Sequence, residues 1–223
     1  MNYVFQFNVV WDHFPELLAG ALLTIQLSAT AMALGLCLGV VCAYGKSAGP
    51  RLVRWLIGAY IELIRNTPFL VQIFIIYFSL PVIGIRLTAN AAALLAMTVN
   101  LGAYASEIVR AGVEAVPHGQ VEAARALGLR RLQIFCLVIL FPALKTVYPA
   151  LASQFILLML SSSIVSTISA VELTAITSSL QSTTFRSFEF YFTATGLYLA
   201  MALGFRAGLS ALYWAAFQRG RVA

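Results

Sequence analysis

The chain alternates between long apolar runs and short segments that carry its Lys, Arg, Asp and Glu residues. The first apolar run, from Leu17 to Tyr44, contains no charged residue. A helix that crosses a bilayer needs about 20 apolar residues at 1.5 Å rise each, so this run is long enough to span with some tilt. The same pattern predicts about five spanning helices, at 17–44, 56–82, 87–112, 134–168 and 190–217.

Composition strengthens that prediction. Hydrophobic residues make up 61% of the chain and charged residues only 10%, whereas a soluble domain carries about 25% charged residues. The chain is therefore predicted to be an all-α integral membrane helical bundle with one domain at 17–218. Residues 1–16 mix aromatic and polar positions, which predicts an interfacial segment on the periplasmic side, and residues 219–223 are a predicted cytoplasmic tail.

The distribution of positive charge predicts how the bundle lies in the membrane, because Lys and Arg collect in cytoplasmic loops. Basic residues follow the first span, follow the third span and end the chain: Lys46, Arg51, Arg54, Arg110, Arg125, Arg130, Arg131, Arg219 and Arg221. The other connections hold only Arg86 and Arg186. This predicts a multi-pass membrane protein with the N-terminus outside and the C-terminus inside. Since the basic residues are divided among short loops, no basic face is predicted for nucleic acid.

The sequence predicts no catalytic activity for this chain. Gly45-Lys46-Ser47 lacks the glycine five positions earlier that a phosphate-binding loop needs, because that position is Val40. The two histidines, His13 and His118, belong to no nucleophile or metal pattern, and the three cysteines have no paired or metal-like spacing. We therefore expect no catalytic, cofactor-binding or metal-binding residues, and no ATP or Mg²⁺ bound by this chain itself.

The longest predicted inner loop, 113–131, contains a short helix between breakers. Pro117 suits a first helical turn and Gly128 suits the position after a helix end. Between them, Val121, Ala124 and Leu127 or Gly128 recur at spacings of three and four, which predicts a small apolar ridge on a helix outside the bilayer. Such a helix is typical of one that a partner protein holds in a groove.

This loop also carries a family resemblance. EAARALGL at 122–129, followed by ILFPAL at 139–144, resembles the EAA loop of type I ATP-binding cassette (ABC) importer permeases. Four further stretches resemble the polar amino acid branch of that family: ELIRNTPFLVQ at 62–72, GAYASEIVRAGVEAVPHGQ at 102–120, SSSIVSTISAVEL at 161–173 and TFRSFEFY at 184–191. The similarity extends from about residue 17 to 218, and it implies the MetI-like fold of type I ABC permeases.

The resemblance implies a function and a set of partners. The chain would be the membrane-spanning permease subunit of an ATP-driven amino acid importer in the bacterial inner membrane. Its partners would be two ATPase subunits that bind ATP and Mg²⁺, a second permease chain (a sister or a second copy), a periplasmic solute-binding protein, the amino acid and membrane lipid. The residues implied to couple to the ATPase are Pro117, Gly119, Gln120, Glu122, Ala123, Ala124, Arg125, Leu127 and Gly128.

Polar residues at membrane depth suggest the translocation path, because such residues usually face protein or water. The candidates are Arg65, Asn66, Thr67, Pro68, Asn100, Glu107, Ser161, Ser162, Ser163 and Ser166. Glu62 and Arg65 are three residues apart, as are Glu107 and Arg110, so each pair is either a structural ion pair or part of the path. The serines either serve tight helix packing or contact the solute. Pro68 removes a helix hydrogen bond and predicts a kink, with a nearby side chain or water as the replacement partner.

At one position the sequence departs from its relatives. Many amino acid permeases have an acidic residue where this chain has Ser161. The substrate is then either neutral or acidic, or a second, different permease chain carries the binding site. The main alternative function is an ion-gradient-driven secondary transporter of small polar solutes, which usually shows internal repeats that we do not find.

Overall fold

The computed structural model describes residues 3–130 and 133–217, and every regular element in these residues is a helix. The α-helices are α1 Asn8–Asp12, α2 Phe14–Ala48, α3 Arg51–Arg65, α4 Phe69–Phe74, α5 Ala89–Glu114, α6 His118–Ala126, α7 Leu140–Ser161, α8 Leu173–Thr184 and α9 Ser187–Phe217. Two π-helical segments, Ile75–Ser79 and Ile134–Ile139, and two 3₁₀ segments, Leu80–Ile83 and Ser162–Ile168, extend or join them. Arg131 and the predicted tail 219–223 lie outside the described residues.

Within the described residues, four helical stretches are long and apolar enough to cross a membrane: Phe14–Ala48, Ala89–Glu114, Leu137–Ile168 and Ser187–Phe217. The longest has 35 residues, or about 52 Å at 1.5 Å per residue, against a hydrocarbon core of about 30 Å. These stretches run close to four of the spans expected from the sequence. The predicted all-helical membrane bundle is confirmed.

The predicted second span, 56–82, is not one continuous helix. α3 ends at Arg65, and the helical segment Phe69–Ile83 begins after Pro68 at an angle of 113° to it. Pro68 has an extended backbone, with φ −64° and ψ 138°, and stands at the N-cap of α4. Proline lacks the N–H that would continue the helix, and it also disfavours helical geometry in the residue before it. The expected kink is therefore a complete break between two helices.

The centre of the bundle is the contact between α2 and α5, where small residues allow the backbones to approach. A Cβ added at Gly39 of α2 would lie 2.6 Å from Cβ of Ala105 and 3.0 Å from the backbone nitrogen of Ser106 on α5. Gly102 and Ala103 are buried on α5 as well. Small residues at helix contacts are typical of membrane bundles, in which van der Waals packing contributes much of the association energy.

The N-terminal segment packs on the start of α9. The Tyr3 hydroxyl and the backbone N–H of Gln6 (2.9 Å to Oε1) both donate to the carboxylate of Glu189, which is fully buried. Rings of this segment also contact Phe188 and Phe192. The buried carboxylate thus fixes residues 3–6 in place, so this part of the predicted interfacial segment is ordered against the bundle.

Candidate functional site

The ends of the short helix α6 are set by the turn chemistry of its flanking residues. Pro117 is the N-cap, and Gly128 follows the helix with φ +77°, a conformation that costs residues with a Cβ about 1–2 kcal/mol. The N–H of Gly128 donates to the carbonyl of Arg125 (2.9 Å), and the N–H of Leu129 donates to the carbonyl of Ala124 (3.2 Å). This pair of bonds is a Schellman motif, which satisfies carbonyls that would otherwise be free at the helix end.

The face that α6 turns toward the bundle differs from the expectation. Ala124 is only 5% exposed because α6 packs against the π-helical segment Ile134–Ile139 of the same chain, and Val121 is half-buried there. The prediction that Val121 and Ala124 form a ridge available to a partner is therefore wrong. The other eight predicted coupling residues are exposed, and Leu127 is 81% exposed. The free surface is formed by Glu122, Ala123 and Leu127.

A network of ion pairs lies beside α6 and ties α2 to α5. Lys46 Nζ is 2.7 Å from Glu107 Oε1, and Arg110 Nη2 is 2.9 Å from Glu107 Oε2. Arg110 also reaches Glu114 at 2.6 Å. A cavity of about 650 Å³ separates the network from His118 of α6. Of the two alternatives for Glu107 and Arg110, the geometry favours a structural ion pair, because both carboxylate oxygens of Glu107 are already occupied by cations.

A second polar cluster closes the break at Pro68. The side-chain amide of Gln72 donates to the carbonyls of Ile64 (2.7 Å) and Thr67 (3.0 Å), which lie on the far side of the break. The amide of Asn100 on α5 donates to Oε1 of Gln72 (2.9 Å). The expectation that a nearby side chain replaces the lost helix hydrogen bond is confirmed, and Gln72 is that side chain.

The other pair on one helical face, Glu62 and Arg65, forms no ion pair among the described residues. The guanidinium carbon of Arg65 lies 5.6 Å from the ring centroid of Tyr104, a cation–π contact. Glu62 accepts a hydrogen bond from the side-chain amide of Asn66 (3.0 Å). Arg65 therefore links α3 to α5 at the break.

The serines of the predicted path lie where α7 passes into a 3₁₀ segment that packs against α4. Each of three hydroxyls donates to the carbonyl three residues earlier: Ser162 to Met159 (2.7 Å), Ser163 to Leu160 (2.9 Å) and Ser166 to Ser163 (2.7 Å). Such local bonds compete with regular α-helical geometry. Ser161 is half-buried at the end of α7. The structure thus brings the serine segment next to the broken helix, whereas Glu107 belongs to the ion-pair network instead.

Comparison with known proteins identifies this architecture. Residues 35–215 match the family described as the inner membrane component of binding-protein-dependent transport systems. The chain belongs to this permease family. It is 33% identical over 205 residues to a probable glutamine ABC transporter permease protein of Bacillus subtilis (strain 168), covering 92% of this chain and 95% of that protein. It is 35% identical over 201 residues to an octopine transport system permease protein of Rhizobium meliloti, covering 86% and 82%.

Solved structures agree with the sequence relatives. This permease superposes on a chain of an amino acid ABC transporter crystallised with histidines with a TM-score of 0.88 at 35% identity, covering 95% of this chain and 99% of that one. A chain of a methionine ABC transporter in an inward-facing conformation has the same fold, with a TM-score of 0.73 at 21% identity. The resemblance to type I ABC importer permeases of the polar amino acid branch is confirmed, and the protein is a multi-pass transport permease of the inner membrane.

Sequence reasoning missed three side chains that organise the permease. Gln72 joins the broken helix to α5, and Lys46 supplies the second cation for Glu107. Glu172 is fully buried, accepts from the N–H of Ala175 (2.8 Å) at the start of α8, and accepts from the hydroxyl of Tyr198 (2.5 Å). A carboxylate three residues before a helical N–H is a capping signal that was readable at Glu172. The partners of Gln72 and Lys46 lie 28 and 61 residues away in the chain, and no local pattern identifies them.

Proposed function

We propose that this permease is the membrane-spanning subunit of an amino acid importer and that α6 couples it to an ATPase on the cytoplasmic side. The observation that carries the proposal is a short helix with defined ends, packed through Ala124 on its own chain and leaving Glu122, Ala123 and Leu127 exposed. A rigid helix with one free face suits a groove in a partner.

The route from α6 to the membrane supports this role. The inner face of α6 contacts the segment Ile134–Ile139, which continues directly into the spanning helix α7. The ion pairs of Lys46, Glu107 and Arg110 hold the neighbouring ends of α2 and α5 together. A force applied to α6 would therefore reach α7 through the packed segment Ile134–Ile139, and it would reach α5 through the packing of α5 against α7.

The proposal includes the rest of an importer. ATP and Mg²⁺ are bound by two ATPase subunits, a second permease chain completes the path, and a periplasmic binding protein delivers the solute. The N-terminus lies outside and the C-terminus inside. The names of the relatives, which refer to glutamine and octopine transport, support an amino acid or amino acid conjugate as the solute. ATP binding shifts the permease between two packings by favouring one of them.

A charge reversal on the free face of α6 tests the coupling. Glu122→Lys is expected to abolish ATP-driven uptake in membrane vesicles that contain the whole transporter, while the permease still inserts and accumulates. Glu16→Lys is the matched control, because Glu16 is also an exposed glutamate but lies near the N-terminal end of α2. Uptake by the Glu122→Lys transporter at the rate of the Glu16→Lys transporter would contradict the proposal.

Energy depletion separates the proposal from an ion-gradient-driven transporter. Vesicles loaded with ATP are expected to accumulate the amino acid, and ATP-depleted vesicles with an intact proton gradient are expected to accumulate none. Uptake that continues without ATP would favour the secondary transporter.

Ser161 is the position that tests substrate charge. It lies at the end of α7, next to the 3₁₀ segment that packs on α4. A buried cationic side chain requires a paired charge, so Ser161→Asp is expected to shift uptake toward basic amino acids relative to acidic ones. Ser178→Asp is the control, because Ser178 is an exposed serine on α8. An unchanged preference in Ser161→Asp would place the selective site on the second permease chain.

A further inference from the structure

Arg206 is a cation inside the apolar helix α9. It lies 11 residues before the helix end at Phe217, which is about 16 Å along the axis. Among the residues that the structure describes, no carboxylate forms an ion pair with it. An arginine at the centre of a bilayer costs about 3 kcal/mol on insertion scales, so such a residue usually has a compensating partner.

A cavity of about 490 Å³ opens beside Arg206, between α7 and α9. On α9, Arg206, Ser210 and Tyr213 line it at a spacing of i, i+4 and i+7, so they share one helical face. On α7 its lining includes Tyr148 and Ser153. The hydroxyl of Tyr148 donates to the backbone carbonyl of Leu209 (2.6 Å), and this bond joins the two helices at the wall of the cavity.

The two serines of the cavity are available to a ligand. Thr146 and Thr195, on the same two helices, donate back to carbonyls four residues earlier (3.0 and 2.8 Å). Ser153 and Ser210 are exposed and form no such bond in the described part of the chain. A hydroxyl at membrane depth without a partner carries a desolvation cost. The cavity therefore presents one cation and two free hydroxyl donors, a combination complementary to a phosphate.

The cavity extends from the hydrocarbon core, at Arg206, to the headgroup region of the lipid, at Tyr213. α9 has 31 residues, about 46 Å, and so exceeds a 30 Å hydrocarbon core by about 8 Å at each end when centred. Arg206 then lies about 8 Å below the hydrocarbon boundary, a distance that an extended arginine side chain covers by snorkelling. This boundary is at the same end of the bundle as α6, because the segment that contacts α6 leads into α7 and the ring of Phe141 on α7 contacts Phe217.

We propose that this cavity binds the phosphate headgroup of an anionic phospholipid. Arg206 pairs with the phosphate, and Ser210, one turn nearer the helix end, donates a hydrogen bond to one of its oxygens. The lipid is favoured over a soluble anion because α9 lies at the periphery of the chain: 6% of its most apolar window is buried, against 33–50% in the other three long helices. The proposal depends on membrane insertion alone, and not on the solute or the ATPase.

Lipid retention by the purified full-length permease tests the proposal. Native mass spectrometry is used to titrate dioleoylphosphatidylglycerol and dioleoylphosphatidylcholine separately into the protein in detergent. Phosphatidylglycerol is expected to bind more tightly than phosphatidylcholine. Arg206→Gln is expected to weaken the binding of phosphatidylglycerol about tenfold, because one charge-assisted contact is lost. Arg206→Lys keeps the charge and is expected to retain most of the binding, whereas the exposed Arg86→Gln is the matched control and leaves it unchanged.

Three results would overturn the proposal. The first is equal phosphatidylglycerol binding by Arg206→Gln and Arg86→Gln in samples with the same melting temperature. The second is displacement of the lipid by millimolar inorganic phosphate, which would make a soluble anion the ligand. The third is protection of Ser210→Cys from thiol reagents in a dimer but not in a monomer, which would make this face a subunit interface.

Discussion

The break between α3 and α4 depends on Gln72, so we predict that Gln72→Ala destabilises the permease far more than its size suggests. In the wild type, the side-chain nitrogen of Gln72 donates to the carbonyl of Ile64, and the side-chain oxygen of Gln72 accepts a hydrogen bond from the side-chain amide of Asn100. Gln72 is 7% exposed, and little water reaches these groups. A buried polar group left without a partner costs about 1–3 kcal/mol. With two such groups, we expect a loss of about 3 kcal/mol.

Reversible unfolding of the purified permease in mixed micelles, followed by circular dichroism, measures this loss. Gln26→Ala is the matched control, because Gln26 is an exposed glutamine on α2 and its side chain bonds to no described residue. A double-mutant cycle with Asn100→Ala is expected to give a coupling energy of at least about 0.5 kcal/mol, since the two side chains are in direct contact. The reasoning is refuted if Gln72→Ala unfolds within about 0.5 kcal/mol of Gln26→Ala.

Two other substitutions test the packing and the ion pairs of the bundle. Gly39→Val places a side chain where even a Cβ would be 2.6 Å from Ala105, so overpacking is expected to lower the unfolding free energy by about 2 kcal/mol, whereas Gly58→Ala, with open space around it, is expected to be neutral or stabilising. Equal stability of the two variants would contradict the close contact of α2 and α5. Glu107→Gln leaves Lys46 without its carboxylate partner and is expected to lower the unfolding free energy by about 1–2 kcal/mol. This is less than the loss expected for a fully buried ion pair, because Lys46 is 29% exposed to solvent. An unfolding curve that coincides with the wild type would show that the network contributes nothing.

Local patterns predicted the parts of the permease that depend on local chemistry. The long charge-free runs predicted the long helices because the bilayer leaves a backbone few alternatives to a helix. The limits of α6 followed from Pro117 and Gly128, whose backbone preferences act on their own helix end. The family resemblance also predicted how the helices are arranged in the bundle, because several stretches matched the family in order along the chain.

The errors concern relations between distant residues. Ala124 and Leu127 have the same apolar character in sequence, yet one is 5% exposed and the other 81%, because only the packing of α6 on Ile134–Ile139 distinguishes them. The break at Pro68 is a 113° turn between two helices and not a kink. Gln72 satisfies the carbonyls of Ile64 and Thr67 there, and Asn100 donates to the side-chain oxygen of Gln72. Sequence spacing alone assigns no partner across 28 residues.

Cross-linking from the free face of α6 tests the central claim most directly. In membranes that contain the complete transporter, Leu127→Cys is treated with a thiol–amine cross-linker and the products are identified by mass spectrometry. The control is Val82→Cys, which is equally exposed, at 85%, but lies in the segment after α4, and wild-type protein measures reaction of the native cysteines. The account predicts that Leu127→Cys joins the permease to an ATP-binding cassette ATPase and that Val82→Cys does not. Equal yields of the ATPase product from Leu127→Cys and Val82→Cys, or none from either, would contradict it.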